Sequence, residues 1–319
     1  MGSELVGGIG LVGSILGIWQ FAADNIPDVV KSKSTYRIQV GLDDTKGSGD
    51  KKLSNAGGNL VMIKTYNNNG ELIGSGGGGK VKDGGYADFS AEQTGTQQSI
   101  TTEFYAGDDA ICIAYISATM DEGSKWGWVG DWGYTCGLNW FPSGYRLQNE
   151  GGDDDKVTSP RCTWIDKDHT HDFKASIIGI TWPDFYHKSG DDIPKGNGKS
   201  SCGKGFRAWA NEGDKQMLPA KKKKRGPRLS QRSDDRLVIS SGLSHNATEV
   251  CESETSWGPD FVSKEEGMHC NMETHEVTPL CGNGVTEDCF DTDGNGGPAM
   301  VHRNGKRSLT NPSKVIRWE

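Results

Sequence analysis

Alternating apolar and polar residues are the main pattern along the first two thirds of the chain. Residues 36–42 place four apolar side chains on one face: Tyr36, Ile38, Val40 and Leu42. Residues 60–66, 80–89, 99–105 and 176–182 have similar strand patterns. Residues 111–116 (Ile-Cys-Ile-Ala-Tyr-Ile) are apolar on both faces, which predicts a central strand buried on two sides. Roughly eight such strands between turn signals predict an all-β fold, an antiparallel β-sandwich.

Two segments between these strands are rich in turn-forming residues. Residues 67–70 (Asn-Asn-Asn-Gly) predict a hairpin turn, because Asn and Gly tolerate a positive φ. Residues 74–79 (Gly-Ser-Gly-Gly-Gly-Gly) lack the Gly-Lys-Ser/Thr ending and the following helix of a phosphate-binding loop. We therefore predict a flexible loop at 74–79.

Composition agrees with this fold class and narrows the range of partners. The 319 residues include 46 glycines, and hydrophobic residues make up 33%, which favours short strands and many turns. The net charge of −8 argues against a general nucleic-acid surface, so we expect no nucleic-acid partner. Positive charge is concentrated in residues 221–225 (Lys-Lys-Lys-Lys-Arg).

Eight cysteines fall into two groups of four on either side of the basic run. The groups are Cys112, Cys136, Cys162 and Cys202, then Cys251, Cys270, Cys281 and Cys289. Even numbers and the absence of any Cys-x-x-Cys pair favour disulfides over metal or redox chemistry. Each group allows three pairings, and the spacing does not choose among them.

These patterns divide the chain into four parts. They are an apolar N-terminal segment and connector (1–34), a Trp-rich β-sandwich domain (35–219), a basic linker (220–236) and a small disulfide-stapled module (237–319). Within the module, residues 268–272 and 276–281 suit a hairpin, and residues 308–319 suit a further strand. Residues 237–239 are expected to add a strand to the first domain.

The N-terminal residues 5–23 are uncharged and leave three interpretations open. They suit a secretory signal, a membrane-active or anchoring helix, or an apolar helix packed on the domain. Glu4 and the lack of Lys or Arg weaken the signal interpretation, and the glycines weaken the membrane interpretation. Membrane contact, if any, is expected through this segment.

Two dibasic pairs and one glycosylation tripeptide bear on export. Cleavage by a secretory-pathway protease is expected after Arg225, and Arg307 ends a second dibasic pair. The basic run also suits a nuclear-localisation signal or a solvated linker. Asn246 begins an Asn-Ala-Thr acceptor, which is used only in an exported chain.

Two polar clusters have the atoms needed for metal or acid–base chemistry. Asp291, Asp293 and Asn295 match the start of a calcium loop, but His302 occupies the position of the bidentate Glu, so a plain turn is favoured. Asp166, Asp168, His169 and His171 lie within six residues and suit a metal or a hydrolase site, or an exposed polar turn. We expect no cofactor other than calcium.

One aromatic segment suggests a ligand site. Its residues are Trp126, Trp128, Asp131, Trp132, Asn139 and Trp140. Exposed tryptophans beside Asp and Asn would stack on sugar rings and bind their hydroxyls. The same residues also suit a Trp-rich sandwich core, which is the interpretation we favour.

Several segments carry a resemblance to a known family. They include 109–115 (Asp-Ala-Ile-Cys-Ile-Ala-Tyr), 128–133 (Trp-Val-Gly-Asp-Trp-Gly), 162–166 (Cys-Thr-Trp-Ile-Asp) and 249–255 (Glu-Val-Cys-Glu-Ser-Glu-Thr). Together they resemble a family of predicted secreted proteins of filamentous ascomycete fungi, over most of residues 36–319. The resemblance implies a fungal origin and export, and it assigns no catalytic or binding residue.

We therefore predict a secreted fungal β-sandwich protein that binds an extracellular glycan, host surface or protein and has no catalytic activity. Two alternatives stay open. One is a membrane-active, toxin-like protein that uses residues 5–23 and is membrane-associated. The other is a hydrolase with its site near residues 166–172.

Overall fold

The computed structural model describes residues 32–41, 56–95, 97–145, 159–185, 201–215, 218, 234–294 and 296–318. These residues form two compact units, one ending at Leu218 and the other beginning at Asp234. Most of the regular secondary structure in both units is β-strand, and most strand pairs are antiparallel. The prediction of an all-β fold is confirmed.

The first unit is built on one sheet of eleven strands. They are β1 (Lys33–Val40), β2 (Gly58–Tyr66), β3 (Leu72–Val81), β4 (Tyr86–Gln93), β5 (Thr101–Ala106), β6 (Ile111–Thr119), β7 (Lys125–Val129), β8 (Trp140–Pro142), β9 (Arg161–Ile165), β10 (Ile177–Thr181) and β11 (Phe206–Trp209). Their order is β11-β10-β5-β2-β3-β4-β1-β6-β9-β8, and β7 also pairs with β6. Helix α1 (Asp131–Thr135) follows β7, and 3₁₀ turns span Thr170–Asp172 and Trp182–Phe185.

The sheet curls so that strands distant in its order pack face to face. Tyr36 of β1 meets Phe104 of β5 edge-on, with the ring centroids 5.4 Å apart, and stacks on Trp182. Its hydroxyl lies 3.0 Å from the Thr102 hydroxyl of β5. Because β1 and β5 are not neighbours in the sheet, these contacts join its two halves across a shared core, as in a sandwich.

The central strand is β6, as the apolar run at 111–116 predicted. All nine of its residues are buried. It pairs with β1 along one edge and with β7 and β9 along the other. A strand flanked and covered in this way has no solvent face, which is why it shows no alternation of polar residues.

The glycine run at 74–79 is a strand, so the prediction of a flexible loop there is wrong. It forms most of β3, which pairs with β2 over nearly its full length but with β4 only at Gly74 and Ser75. A Cβ at Gly76 would overlap the carbonyl oxygen of Ser90, and one at Gly78 would overlap that of Leu60. The glycines therefore permit close backbone approach where the sheet turns from β2 to β4.

Adjacent glycines of β3 provide a matched test of this packing. Gly76→Ala is expected to lower the free energy of unfolding of the first unit by about 2 kcal/mol, because its Cβ meets backbone that cannot rotate away. Gly77→Ala is the control, since its Cβ would have nothing within 4 Å. Urea unfolding followed by tryptophan fluorescence measures both. Equal stability of the two variants would contradict the explanation that the glycines of β3 are needed for close backbone approach.

Four disulfides join the eight cysteines, which confirms the prediction of bridging within each group. The pairs are Cys112–Cys162, Cys136–Cys202, Cys251–Cys270 and Cys281–Cys289. The first ties β6 to β9 inside the core, where both half-cystines are fully buried. Extensive disulfide bonding is typical of proteins that fold outside the reducing cytosol.

The second unit contains two small sheets and a short helix. Its strands are β12 (Leu237–Ser240), β13 (Asp260–Ser263), β14 (Met268–Asn271), β15 (Glu276–Pro279), β16 (Cys289–Asp291), β17 (Ala299–Val301), β18 (Arg307–Leu309) and β19 (Val315–Trp318). The sheet orders are β15-β14-β13-β12-β19 and β16-β17-β18, and helix α2 spans Ala247–Glu252.

Three predictions about this unit can be compared with its pairing. The hairpin of β14 and β15 is confirmed, as is the added C-terminal strand β19. The expectation that residues 237–239 extend the first domain is wrong, because β12 pairs in parallel with β13 and β19. Leu237 and Ile239 pack with Val262 and Phe290 in the core of the second unit, which gives β12 its own apolar partners.

Candidate functional site

The tryptophans predicted to form a sugar platform lie mainly in the core. Trp128, Trp132 and Trp140 are at most 5% exposed, whereas Trp126 is partly exposed. Trp128 packs on Phe206, with the ring centroids 5.3 Å apart. The favoured interpretation of a Trp-rich core is therefore confirmed, and the three buried rings offer no face to a ligand.

The polar residues of that segment hold neighbouring backbone and side chains in place. Asp131 accepts a hydrogen bond from the Arg161 guanidinium at 2.7 Å and another from the Arg161 backbone N–H at 3.1 Å. The same guanidinium lies 4.2 Å from the Tyr134 ring centroid. Asn139 is buried, and its Oδ1 accepts from the Lys174 backbone N–H. Asp131 and Asn139 thus stabilise the connections around α1.

The loop at 166–172 brings some of its candidate residues together. Asp166 is fully buried, and its Oδ2 accepts a hydrogen bond of 2.5 Å from the Thr170 hydroxyl. Its Oδ1 is buried and has no hydrogen-bond partner in the part of the chain that the structure describes. Burial raises the pKa of Asp166, and the carboxyl of Asp168 raises it further, while the bond from Thr170 opposes the shift. His169 is held by a 2.8 Å contact between its Nδ1 and the Phe173 carbonyl oxygen.

The backbone of this loop adopts uncommon dihedral angles. His169, His171 and Asp172 all have φ near the left-handed region, at 57°, 57° and 60°. Such conformations cost about 1 kcal/mol or more each in residues other than glycine. Across the described ranges, no three His, Cys, Asp or Glu side chains converge as metal ligands. The structure thus supplies a buried carboxyl in a strained loop, and the hydrolase hypothesis stays a prediction.

Asp166→Asn tests whether the buried carboxyl stabilises the fold. Because its pKa is raised, the folded state binds a proton more tightly than the unfolded state. The contribution of Asp166 to the free energy of unfolding therefore falls as pH rises through that pKa. We expect Asp166→Asn to match or exceed the wild type in free energy of unfolding at pH 7, because the amide keeps the bond from Thr170. Thermal unfolding at several pH values measures this. A large loss of stability at pH 7 would contradict it.

The candidate calcium loop uses its carboxylates in ion pairs. Asp291 binds the Arg307 guanidinium at 2.6 Å, and Asp293 binds that of Arg317 at 2.8 Å. Asn295 lies outside the described residues. A calcium ion would have to displace both arginines, and calcium binding stays a prediction.

The residues predicted to report on export have different surroundings. Asn246 is exposed and caps α2, with its Oδ1 accepting from the Glu249 backbone N–H at 2.6 Å. Arg307 lies in the paired strand β18, so cleavage after it would have to break that pairing. Arg225 and residues 5–23 lie outside the described residues.

No helix in the described ranges is long and apolar enough to cross a lipid bilayer.

A polar cleft that the sequence did not indicate opens on the first unit. It has a volume of about 380 Å³ and is lined by backbone and side chains from four separate segments. They are the β2–β3 turn, the start of β5, the end of β10 and the start of β11. The lining residues are Asn67, Asn68, Gly70, Ile100, Thr101, Thr181, Asp184, Gly203, Lys204 and Arg207.

Hydrogen bonds within the protein hold the cleft walls in place. Asn67 accepts from the backbone N–H groups of Asn69 and Glu71 at 2.9 Å, and its amide donates to the Glu71 carboxylate. The hydroxyls of Thr101 and Thr181 lie 3.0 Å apart across β5 and β10. The turn and the strand ends are therefore ordered before any ligand binds.

A network of aromatic and charged side chains continues from the cleft over the outer face of β5 and β2. Glu103 accepts hydrogen bonds from the hydroxyls of Tyr66 at 2.9 Å and Tyr105 at 2.7 Å. Burial, together with the Glu103 carboxylate, raises the pKa of Tyr66 to about 12 and raises that of Tyr105 as well. Lys64 lies 4.9 Å from the Tyr105 ring centroid and pairs with Glu212. Both tyrosines thus stay neutral donors at physiological pH.

Trp209 and Arg207 complete this face on the edge strand β11. Gly179 of β10 lies opposite Arg207 on one side and opposite Glu103 on the other. A Cβ at Gly179 would come within 2.9 Å of the Trp209 indole, so the glycine allows the ring to lie over the strand. Arg207 sits with its guanidinium carbon 5.5 Å from the centroid of that ring. The result is a partly exposed aromatic ring beside the cleft.

Comparisons with known proteins add little to this description. No family model and no curated protein matches the chain. One solved structure with partial similarity is titled "Crystal structure of Delta413-417:GS I805W LOX", with a TM-score of 0.19 and 12% identity. The match covers 31% of this chain and 15% of that one, and it carries no argument about fold or function.

Proposed function

We propose that this protein is an exported β-sandwich protein that binds carbohydrate in the polar cleft formed by the β2–β3 turn and strands β5, β10 and β11. The observation that carries the proposal is the cleft itself. Amide, hydroxyl, carboxylate and cationic groups converge there on ordered strand ends. The proposed site is therefore at the cleft and not at residues 126–140.

The lining of the cleft suits a ligand rich in hydroxyl groups. A sugar hydroxyl donates to carboxylates and amide carbonyls and accepts from amide and cationic N–H groups. Asn68 offers both kinds of group, Asp184 offers acceptors, and Lys204 offers donors. All three are exposed, so a ligand reaches them without unfolding the protein. Few apolar side chains line the cleft, which disfavours a lipid or an apolar peptide.

Trp209 supports the same proposal from beside the cleft. Its indole is partly exposed and lies across Gly179, close to Arg207. The apolar CH face of a sugar ring packs on an indole, while its hydroxyls bind polar groups at the rim. A ligand of two or more sugar rings would span the cleft and this ring.

Export is the second part of the proposal. Four disulfides indicate an oxidising compartment, and Asn246 is exposed for glycosylation. The resemblance to predicted secreted proteins of ascomycete fungi supports a fungal origin. Binding rather than hydrolysis is proposed because the cleft does not include the Asp166 loop.

The test uses neighbouring asparagines that differ in one respect. Asn68 lines the cleft, whereas Asn69 is equally exposed in the same turn but does not line it. The disulfide-bonded full chain is screened on a glycan array, and the best oligosaccharide is then titrated by calorimetry. We expect Asn68→Ala and Asp184→Asn to weaken binding by about tenfold each, the effect of losing one or two hydrogen bonds. Asn69→Ala is expected to bind like the wild type.

Two results would count against the proposal. A complete absence of glycan binding by the folded protein would reject it. Binding that is lost in Asn69→Ala and kept in Asn68→Ala and Asp184→Asn would show that the sugar binds elsewhere.

A further inference from the structure

We propose that the ligand of the cleft carries an oxyanion, the carboxylate or sulfate of an acidic polysaccharide, and that Arg207 binds it. This inference rests on the proposed carbohydrate site and names the class of sugar that the site selects. It is carried by the surroundings of Arg207, which lies at the cleft and at the aromatic network.

Arg207 has no counter-ion within the part of the chain that the structure describes. Its side chain is half-buried, and its guanidinium packs near the Trp209 ring. Among the described residues, its Nε is buried without a hydrogen-bond partner. Six other arginines do form ion pairs, each with a carboxylate within 3.2 Å, as Arg37 does with Asp88. Arg207 therefore lines the cleft without a carboxylate partner among the described residues.

Two acids in the network next to Arg207, Glu103 and Glu212, already have partners. Glu103 lies across Gly179 from Arg207, but its Oε2 accepts from both Tyr66 and Tyr105. Glu212 is paired with Lys64. Neither carboxylate forms an ion pair with Arg207 among the described residues, and Arg207 lines the cleft.

The cleft as a whole is positive although the chain is negative. Its lining contains two cations, Lys204 and Arg207, and one anion, Asp184. The net charge of the chain is −8, so this excess is local. A local excess of positive charge attracts a ligand of negative charge.

An oxyanion satisfies Arg207 in a way that a neutral sugar does not. The guanidinium fork matches the two oxygens of a carboxylate or sulfate and forms paired, charge-assisted hydrogen bonds. A neutral hydroxyl accepts one weaker bond and leaves the charge uncompensated.

The experiment compares three probes by calorimetry with the disulfide-bonded full chain. The probes are trigalacturonate, its neutral methyl ester and a sulfated galactose trisaccharide. We expect trigalacturonate to bind about tenfold more tightly than its ester, because only the acid forms the charge-assisted pair. A preference for the sulfated probe over trigalacturonate would assign sulfate as the natural oxyanion, and the reverse order would assign carboxylate.

Three variants assign the effect to Arg207. Arg207→Gln is expected to remove the preference for acid over ester. Arg207→Lys keeps the charge without the fork, so the preference is expected to fall to about threefold. Arg37→Gln is the matched control, since Arg37 also lies over an aromatic ring, Tyr86, but pairs with Asp88. It is expected to bind like the wild type, and thermal unfolding confirms that each variant is folded.

The outcomes separate this inference from the proposed function. If neither the acid nor the sulfated probe binds the wild type more tightly than the ester, the inference is overturned while carbohydrate binding stands. If acid preference survives in both Arg207 variants, the role of Arg207 is overturned. If no probe and no arrayed glycan binds, the proposed function itself fails, and this inference fails with it.

Discussion

Removing the Cys112–Cys162 disulfide by the double substitution Cys112→Ala and Cys162→Ala is expected to lower the free energy of unfolding of the first unit by about 4 kcal/mol. The bond closes a loop across 50 residues and ties β6 to β9. The double substitution releases that constraint in the unfolded chain and removes two buried sulfur atoms from the core. Urea unfolding followed by the fluorescence of core residues such as Trp128 and Trp164 measures the loss.

The Cys281–Cys289 bond provides the comparison for this prediction. It spans only 8 residues and lies in the second unit. Its removal is expected to cost that unit about 2.5 kcal/mol and to leave the first unit unchanged. A loss under about 1 kcal/mol for the Cys112–Cys162 pair would mean that strand packing alone holds β6 and β9 together.

The second large effect is a pair of opposing pH dependences in the second unit. His269 is 2% exposed and stacks on Phe290, with the ring centroids 3.8 Å apart. Both of its ring nitrogens are buried without a hydrogen-bond partner in the described ranges, and burial lowers its pKa to about 4. Burial raises the pKa of Asp260 to about 6, although the Met272 backbone N–H donates to it at 2.8 Å.

The two groups act on stability with opposite signs between pH 6.5 and 4. As pH falls, His269 is protonated near pH 6.5 in the unfolded state but only near pH 4 in the folded state. The free energy of unfolding therefore falls by about 3 kcal/mol across this range. Folded Asp260 is protonated near pH 6 and unfolded Asp260 near its ordinary pKa of about 3.9. The unit therefore gains about 2 kcal/mol from Asp260 as pH falls, after allowance for its partial exposure.

Single substitutions are expected to separate the pH dependence of stability that comes from His269 from that of Asp260. The wild-type unit should change little in stability over this range, because the two contributions offset each other. His269→Phe should become more stable as pH falls from 6 to 4, and Asp260→Asn should become less stable. Hydrogen exchange of amides in β12, β13 and β14 measures this unit separately. Parallel pH profiles for the two variants would contradict the assigned causes.

Strand prediction succeeded where local pattern and burial coincide. β6 was predicted because residues 111–116 are apolar on both faces, and all nine residues of the strand are buried. The 67–70 turn was predicted because Asn and Gly tolerate a positive φ, and Gly70 has a φ of 79°. β3 was missed because its glycines reflect backbone approach by Ser90 and Leu60, which come from other strands.

Prediction of the site failed for a related reason. The tryptophans near residue 130 were visible because they are close in sequence, but the core buries three of them. The cleft draws on residues near 68, 101, 181 and 204, which no short motif connects. The one local signal was the alternation of Arg207 and Trp209 in a strand, which places both on the same face.

The sequence by itself determined the all-β class, the buried central strand and the commitment of eight cysteines to bridges within each group. These properties follow from hydrophobic periodicity and cysteine parity, which are local or countable. Only the tertiary structure decided which cysteines pair, that the glycine run is a strand, and which polar groups share a cleft. Those outcomes depend on strand order, because pairing β5 with both β2 and β10 joins segments more than a hundred residues apart.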